Sequence, residues 1–122
     1  MNKGAYFFDT YALFEIIGGN EAYAKYTTAS AIITILNLAE LNYGLKKEKG
    51  KLIADKITDK YVSLLVDVSV EQMKEAMDLK MKHKKLSIPD VIGYAVAKKH
   101  GVKFLTGDEG FRHLPNVEFV NK

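Results

Sequence analysis

The chain contains no cysteine, which excludes a disulfide framework, a thiolate zinc site and a cysteine nucleophile and fits a reducing compartment. Nor is there a Pro/Gly-rich linker, an internal repeat or a low-complexity tract in the 122 residues. An undivided chain of this length predicts one domain over residues 1–122, because a second would have too little interior of its own. No apolar run approaches the roughly 20 residues that a membrane span needs. The opening MNKGAYFFDT lacks a signal-peptide pattern, so the expected location is the cytoplasm. Arginine is almost missing: Arg112 stands alone among 18 basic residues. A net charge of +3 is compatible with an anionic partner and does not require one.

What is present is an alternation of apolar strands and amphipathic helices. Ala5–Phe8 reads as a buried strand, Thr10–Ile17 as a helix ended by Gly18-Gly19, and Glu21–Tyr26 as a second short helix. Thr28–Ile33 has strand composition. Thr34 then caps a helix through Leu45 with Leu38, Leu41 and Leu45 inward. Gly50–Tyr61 is amphipathic, with Leu52, Ile53 and Ile57 expected inward. Leu64–Val68 is a strand candidate. Val70–His83 is a helix whose Met73, Met77 and Met81 row is expected to pack in the core. Ser87 caps a helix with Pro89 in its first turn, running to His100 and stopping at Gly101. Val102–Leu105 and Val117–Val120 are strands, separated by a turn with a short helix over Gly107–Leu114. Strands separated by helices imply parallel pairing, since parallel neighbours need a crossover. The expected fold is a three-layer α/β/α sandwich with a central, mostly parallel sheet.

Four carboxylates have two readings each. Asp9 directly follows a strand, where ligands bind in open α/β sheets; it is also a good N-cap for Thr10–Ile17. Glu40 sits in an apolar helical stretch, where an unpaired carboxylate is costly to bury; an exposed helix edge would explain it as well. Asn37 lies one turn before it and could share its face. Asp90 completes a Ser-x-x-Asp capping pattern with Ser87. Asp108 follows a strand in Phe-Leu-Thr-Gly-Asp, with the Thr106 hydroxyl beside it, and serves equally as a turn residue. Taken together, strand-end and helix-start acids converge on one sheet edge. Convergent carboxylates repel and need a cation, and hard oxygen donors suit Mg²⁺ or Mn²⁺.

These residues, in this order, resemble the PIN domain, and within it the VapC-like toxins of toxin–antitoxin pairs. The resemblance rests on Phe-Phe-Asp9-Thr10, Asn37-Leu-Ala-Glu40-Leu, Ile-Pro-Asp90 and Phe-Leu-Thr106-Gly-Asp108, with Leu114-Pro115-Asn116-Val117 leading into a last strand. It spans nearly the whole chain. It implies a Mg²⁺- or Mn²⁺-dependent endoribonuclease with Asp9, Glu40, Asp90 and Asp108 as the acidic metal site and Thr106 supporting it. It further implies a homodimer and a small antitoxin whose tail covers the groove. Tyr11 departs from the family pattern, as does Gly110, where many relatives carry a further acid; one metal is therefore expected rather than two.

The RNA-contact candidates are Arg112, near Asp108, and two basic runs that include Lys46, Lys47, Lys84 and Lys85. Any one lysine is more simply read as a solvated helix end. Tyr11 would stack a base or simply pack. His83, His100 and His113 lie in polar surroundings and are not expected to act. Two alternatives remain: a non-catalytic PIN-like RNA-binding or assembly module, and a solitary RNA-processing nuclease. A dehalogenase-like phosphoryl-transfer site is disfavoured because it needs an acid where Tyr11 stands. A receiver domain would leave Glu40 unexplained.

Overall fold

A computed structural model describes residues 4–121 of the chain. Four short strands, β1 (Ala5–Phe8), β2 (Ser30–Ile32), β3 (Lys103–Thr106) and β4 (Val117–Phe119), form one sheet in the order β2-β1-β3-β4. All three pairings are parallel. Five α-helices lie between them: α1 (Thr10–Ile17), α2 (Ile35–Lys49), α3 (Lys51–Asp59), α4 (Val70–Lys82) and α5 (Ile88–Lys99).

Neighbouring residues of a strand point to opposite faces, and this builds two cores. Phe7 and Phe104 enter one core with Val91, Val96 and other α5 residues, and with Ala76 of α4. Phe8 and Leu105 enter the other, with Leu13 of α1, Leu38 and Leu41 of α2 and Ala54 of α3. The result is the expected α/β/α sandwich. No helix among the described residues is long and apolar enough to cross a membrane.

Several sequence expectations change in detail. Helix α2 runs a turn beyond Leu45, until Gly50 ends it with φ 84°. Leu52 and Ile53 of α3 are not inward; they are 85% and 53% exposed. The rotation of α3 is set by polar contacts: Asn42 Nδ2 donates to Asp55 Oδ1 at 3.0 Å and Thr58 Oγ1 at 2.9 Å. That face, with Ala54, therefore meets α2. Leu64–Val68 is not a strand. A 3₁₀ turn over Val62–Leu64 precedes a single parallel bridge, Ile33 to Leu65, because β2 ends where Thr34 turns the chain into α2. The same shortening trims Thr28–Ile33 to Ser30–Ile32. The methionine row does not pack as a unit: Met77 joins the core whereas Met81 is exposed. The face that α4 buries is centred one residue earlier, on Gln72 and Ala76, which leaves Met73 exposed as well.

The topology leaves one switch point. From β1 the chain crosses to β2 on one side, and only later returns to β3 on the other. The crevice between the C-terminal ends of β1 and β3 is where a parallel α/β sheet can admit a ligand.

Candidate functional site

Asp9 leaves β1 at that crevice. Its N–H donates to the Leu105 carbonyl at 3.3 Å, which ties it to β3. The residue is 1% exposed, and its carboxylate serves two structures at once. Oδ1 accepts from the Ala12 N–H at 2.8 Å, capping α1, and Oδ2 accepts a short hydrogen bond from Thr106 Oγ1. Thr106, the last residue of β3, also accepts the Asp108 N–H at 3.0 Å. One buried hydroxyl thereby fixes both acids of the switch point.

Asp90 stands in the first turn of α5, where Ser87 Oγ accepts its N–H at 3.1 Å. Asp108 caps the short 3₁₀ turn Glu109–Phe111, accepting from the Gly110 N–H at 2.9 Å. Glu40, in the middle of α2, reaches the site from the other side of the sheet edge. Thr10 Oγ1 donates to Glu40 Oε1 at 2.6 Å and accepts from Asn37 Nδ2 at 3.3 Å. Asn37 is fully buried, and its Oδ1 accepts from Thr34 Oγ1 at 2.7 Å. A chain of hydrogen bonds therefore runs from the cap of α2 to Glu40.

Asp9, Glu40, Asp90 and Asp108 line one cavity of about 460 Å³. Capping does not draw the acids away from the cavity: the Asp9 and Asp108 carboxylates cap α1 and the 3₁₀ turn and line the cavity as well. Burial pushes the Asp9 carboxyl up to about 7, with Asp90 and Asp108 adding repulsion against hydrogen bonds from Thr106 and Ala12. Burial likewise pushes Asp90 up to about 6, with Asp108 and Glu40 adding to it and Ser87 opposing it. None of the ion pairs among the described residues involves these four acids. Among the described residues no group of three or more histidine or acidic side chains stands, as placed, where it could hold a metal ion; the four acids share the lining of one cavity.

The basic candidates separate. Lys47 lines the cavity. Lys46 is held by Asp55 at 3.3 Å, and Arg112 pairs with Glu109 at 3.0 Å and lies over the Phe119 ring. Neither Arg112 nor Lys46, Lys84 or Lys85 lines the cavity, and neither do the described histidines. At position 110 a Cβ would lie 2.6 Å from Leu86 Cδ2 and 3.3 Å from Asp108 Oδ1, so a side chain there would require the tip of Leu86 to shift. Sequence reading did not assign Thr10 its hold on Glu40. The available signal was its place beside Asp9 and the Asn37 one turn ahead of Glu40.

The model of one protein family, the PIN domain, matches residues 6–117. The chain belongs to the PIN domain family. No curated protein sequence matches it significantly. Solved structures similar to this PIN domain include a toxin–antitoxin complex from Klebsiella pneumoniae, at TM-score 0.74 and 21% identity over 93% of this chain and 95% of the other. Another is VapC20 of Mycobacterium tuberculosis, described as a Sarcin-Ricin loop cleaving toxin, at TM-score 0.73 and 18% identity over 94% and 98%. A third is VapBC2 of Rickettsia felis bound to a promoter DNA fragment, at TM-score 0.71 and 21% identity over 97% and 98%. At these identities the likeness is one of fold, and this PIN domain has the fold of VapC-type chains over nearly its whole length.

Proposed function

We propose that this PIN domain is a divalent-cation-dependent endoribonuclease, acting as the toxin of a VapBC-type pair. One observation carries the reading: four carboxylates from four separate segments line one cavity at the β1/β3 switch point, with Asp9 and Asp90 pushed up toward neutrality. Such a set is unfavourable without a counter-charge, and the donors are all hard oxygens, which fit Mg²⁺ or Mn²⁺. Asp9, Asp90 and Asp108 would hold the ion, with Glu40 completing the set. An ion held there offsets charge on a phosphate and makes water nucleophilic near neutral pH. With glycine at position 110 supplying no further carboxylate, one ion is the expected number.

The chain's own residues then divide the remaining work. Thr106 fixes Asp9 and the backbone of Asp108, so neither moves as substrate enters. Thr10 fixes Glu40 through Oε1, leaving Oε2 to accept the proton of the attacking water. The water oxygen forms a new bond to phosphorus, the opposite ester P–O bond breaks, and the departing oxygen takes a proton from solvent. Solved structures similar to this chain include toxin–antitoxin complexes, which supports a small antitoxin as partner, its tail over the same groove. A homodimer belongs to the same reading.

The test is incubation with mixed RNA in Mg²⁺ or Mn²⁺, in chelator, and beside Asp9→Asn. Cleavage confined to the unaltered protein with metal is expected. Equal cleavage by Asp9→Asn, or in chelator, would overturn the reading.

A further inference from the structure

The acidic cluster occupies only part of the cavity. The rest of one wall comes from α2, whose Glu40, Tyr43, Gly44 and Lys47 all line it. Their spacing of three, four and seven places them on one face of the helix. With a rise of 1.5 Å per residue, Lys47 stands about 10 Å along the axis from Glu40. The wall therefore leads from the carboxylates out to a cationic group.

Three features of this wall stand out. Tyr43 is 64% exposed on the cavity rim, whereas the rings of Tyr23 and Tyr26 are buried. Gly44 lies in mid-helix, where glycine is unfavourable. Its lack of a side chain lets the Phe14 ring from α1 lie against α2; a Cβ at Gly44 would meet Phe14 Cζ at 2.5 Å. The apolar floor beside Tyr43 exists because of that glycine. Lys47 is the third feature. Its neighbours are engaged, Lys46 and Lys51 with Asp55 and Lys49 with Glu48. None of the ion pairs among the described residues involves Lys47, whose Nζ instead lies 4.5 Å from the centre of the Tyr43 ring.

We propose that Tyr43 is a nucleobase-stacking residue beside the acidic cluster, with Lys47 reaching the adjoining phosphate. An exposed aromatic face next to a floor of Phe14 accepts any base, since every base has a π-face. The cation–π contact that now covers Tyr43 is of the weak, solvent-exposed kind, and a stacked base displaces it. Lys47 is then released at the edge of the ring, where the sugar–phosphate chain of a stacked nucleotide must pass. The subsite thus reads single-stranded RNA by its bases on Tyr43 and by its charge on Lys47. It rests on the nuclease reading above and adds to it the way the strand is held.

The experiment compares a labelled, mixed-sequence single-stranded RNA with an abasic strand of the same length. Both are titrated in Mg²⁺ against the full chain carrying Asp90→Asn to prevent turnover. Adding Tyr43→Ala is expected to weaken binding of the base-bearing strand about tenfold and to leave the abasic strand unchanged, while Tyr43→Phe retains binding. Lys47→Ala is expected to weaken both strands and to lower the salt slope by about one. In turnover with Asp90 intact, Tyr43→Ala raises KM with kcat retained. Unchanged binding by Tyr43→Ala, or equal loss on both strands, overturns the subsite while cleavage by the unaltered chain leaves the nuclease reading standing. A chain that neither binds nor cleaves RNA overturns both.

Discussion

Tyr11 lies so close over Gly107 that no side chain can stand there: a Cβ would be 2.2 Å from Tyr11 Cε1 and 2.6 Å from the Val120 carbonyl oxygen. Two motifs far apart in the sequence, the one after β1 and the one after β3, are locked together by this contact. Tyr11, the departure from the family pattern, thus has packing to account for it. The ring could move aside to admit a methyl group, but the backbone oxygen could not. Gly107→Ala is therefore expected to destabilise the fold by about 1–3 kcal/mol through overpacking, measured by urea denaturation. A variant as stable as the parent would show that the two motifs are not locked.

The Thr106 hydroxyl donates to Asp9 and accepts from the Asp108 N–H. Thr106→Val keeps the shape and removes both bonds, leaving two buried polar groups without their partner. A loss of about 1–3 kcal/mol is expected, with a fall in RNA cleavage larger than that of Thr106→Ser, which keeps the hydroxyl. Denaturation curves and initial rates on the two variants check it; equal behaviour would remove Thr106 from the site.

Thr10→Val frees Glu40 from its anchor without touching the other three acids. The expected effect falls on kcat, about tenfold or more, with KM little altered, because a misplaced proton acceptor acts on the reaction rather than on binding. Thr10→Ser should restore most of the rate. A change confined to KM would assign Glu40 to substrate binding instead.

Stability without metal should depend on pH in a defined sense. Asp9 and Asp90 have carboxyls near 7 and 6 in the fold, above the unfolded range near 4. The folded chain therefore retains protons that the unfolded chain has released, and acid favours folding. In chelator, stability from these groups is present below about pH 4 and is lost as pH rises through about 6 to 7. Removing one charge relieves the repulsion, so Asp90→Asn is expected to gain about 1 kcal/mol at pH near 8 and nothing near pH 4, a figure reduced because Asp90 is half-buried. Urea midpoints in chelator at both pH values decide it. Added Mg²⁺ should raise the parent's midpoint at the higher pH and leave that of Asp90→Asn nearly unmoved.

Much of this was legible beforehand, and the failures share one physical cause. Strand β1, helix α1 and the capped start of α5 were readable because local signals, an apolar run, Asp9, Ser87 and Pro89, agree with the tertiary structure. The face that α3 buries was not, because apolar Leu52 and Ile53 lose to the polar contacts of Asn42 with Asp55 and Thr58, and a pairing between helices leaves no periodicity in either. The segment after Val62 looked like a strand by composition, but a strand needs a partner and the chain offers it one residue, Ile33, just past the end of β2. At the site, the four acids were found as types and positions. Thr106 was found with them, but the supports of Glu40 were not: Thr10 holding Glu40, and Asn37 holding Thr10, depend on α1 and α2 crossing at one place. Lys47 could not be separated from Lys46 until Asp55 was seen to hold the latter.

The order β2-β1-β3-β4 also has a consequence for synthesis. Asp9 and Asp108 enclose nearly the whole chain between them, and β3, which carries Thr106, is flanked by the first strand and the last. No shorter stretch emerging from a ribosome holds more than part of the four-acid set. On the nuclease reading, the chain is thus without its full set of acids until the segment that carries Asp108 has left the ribosome.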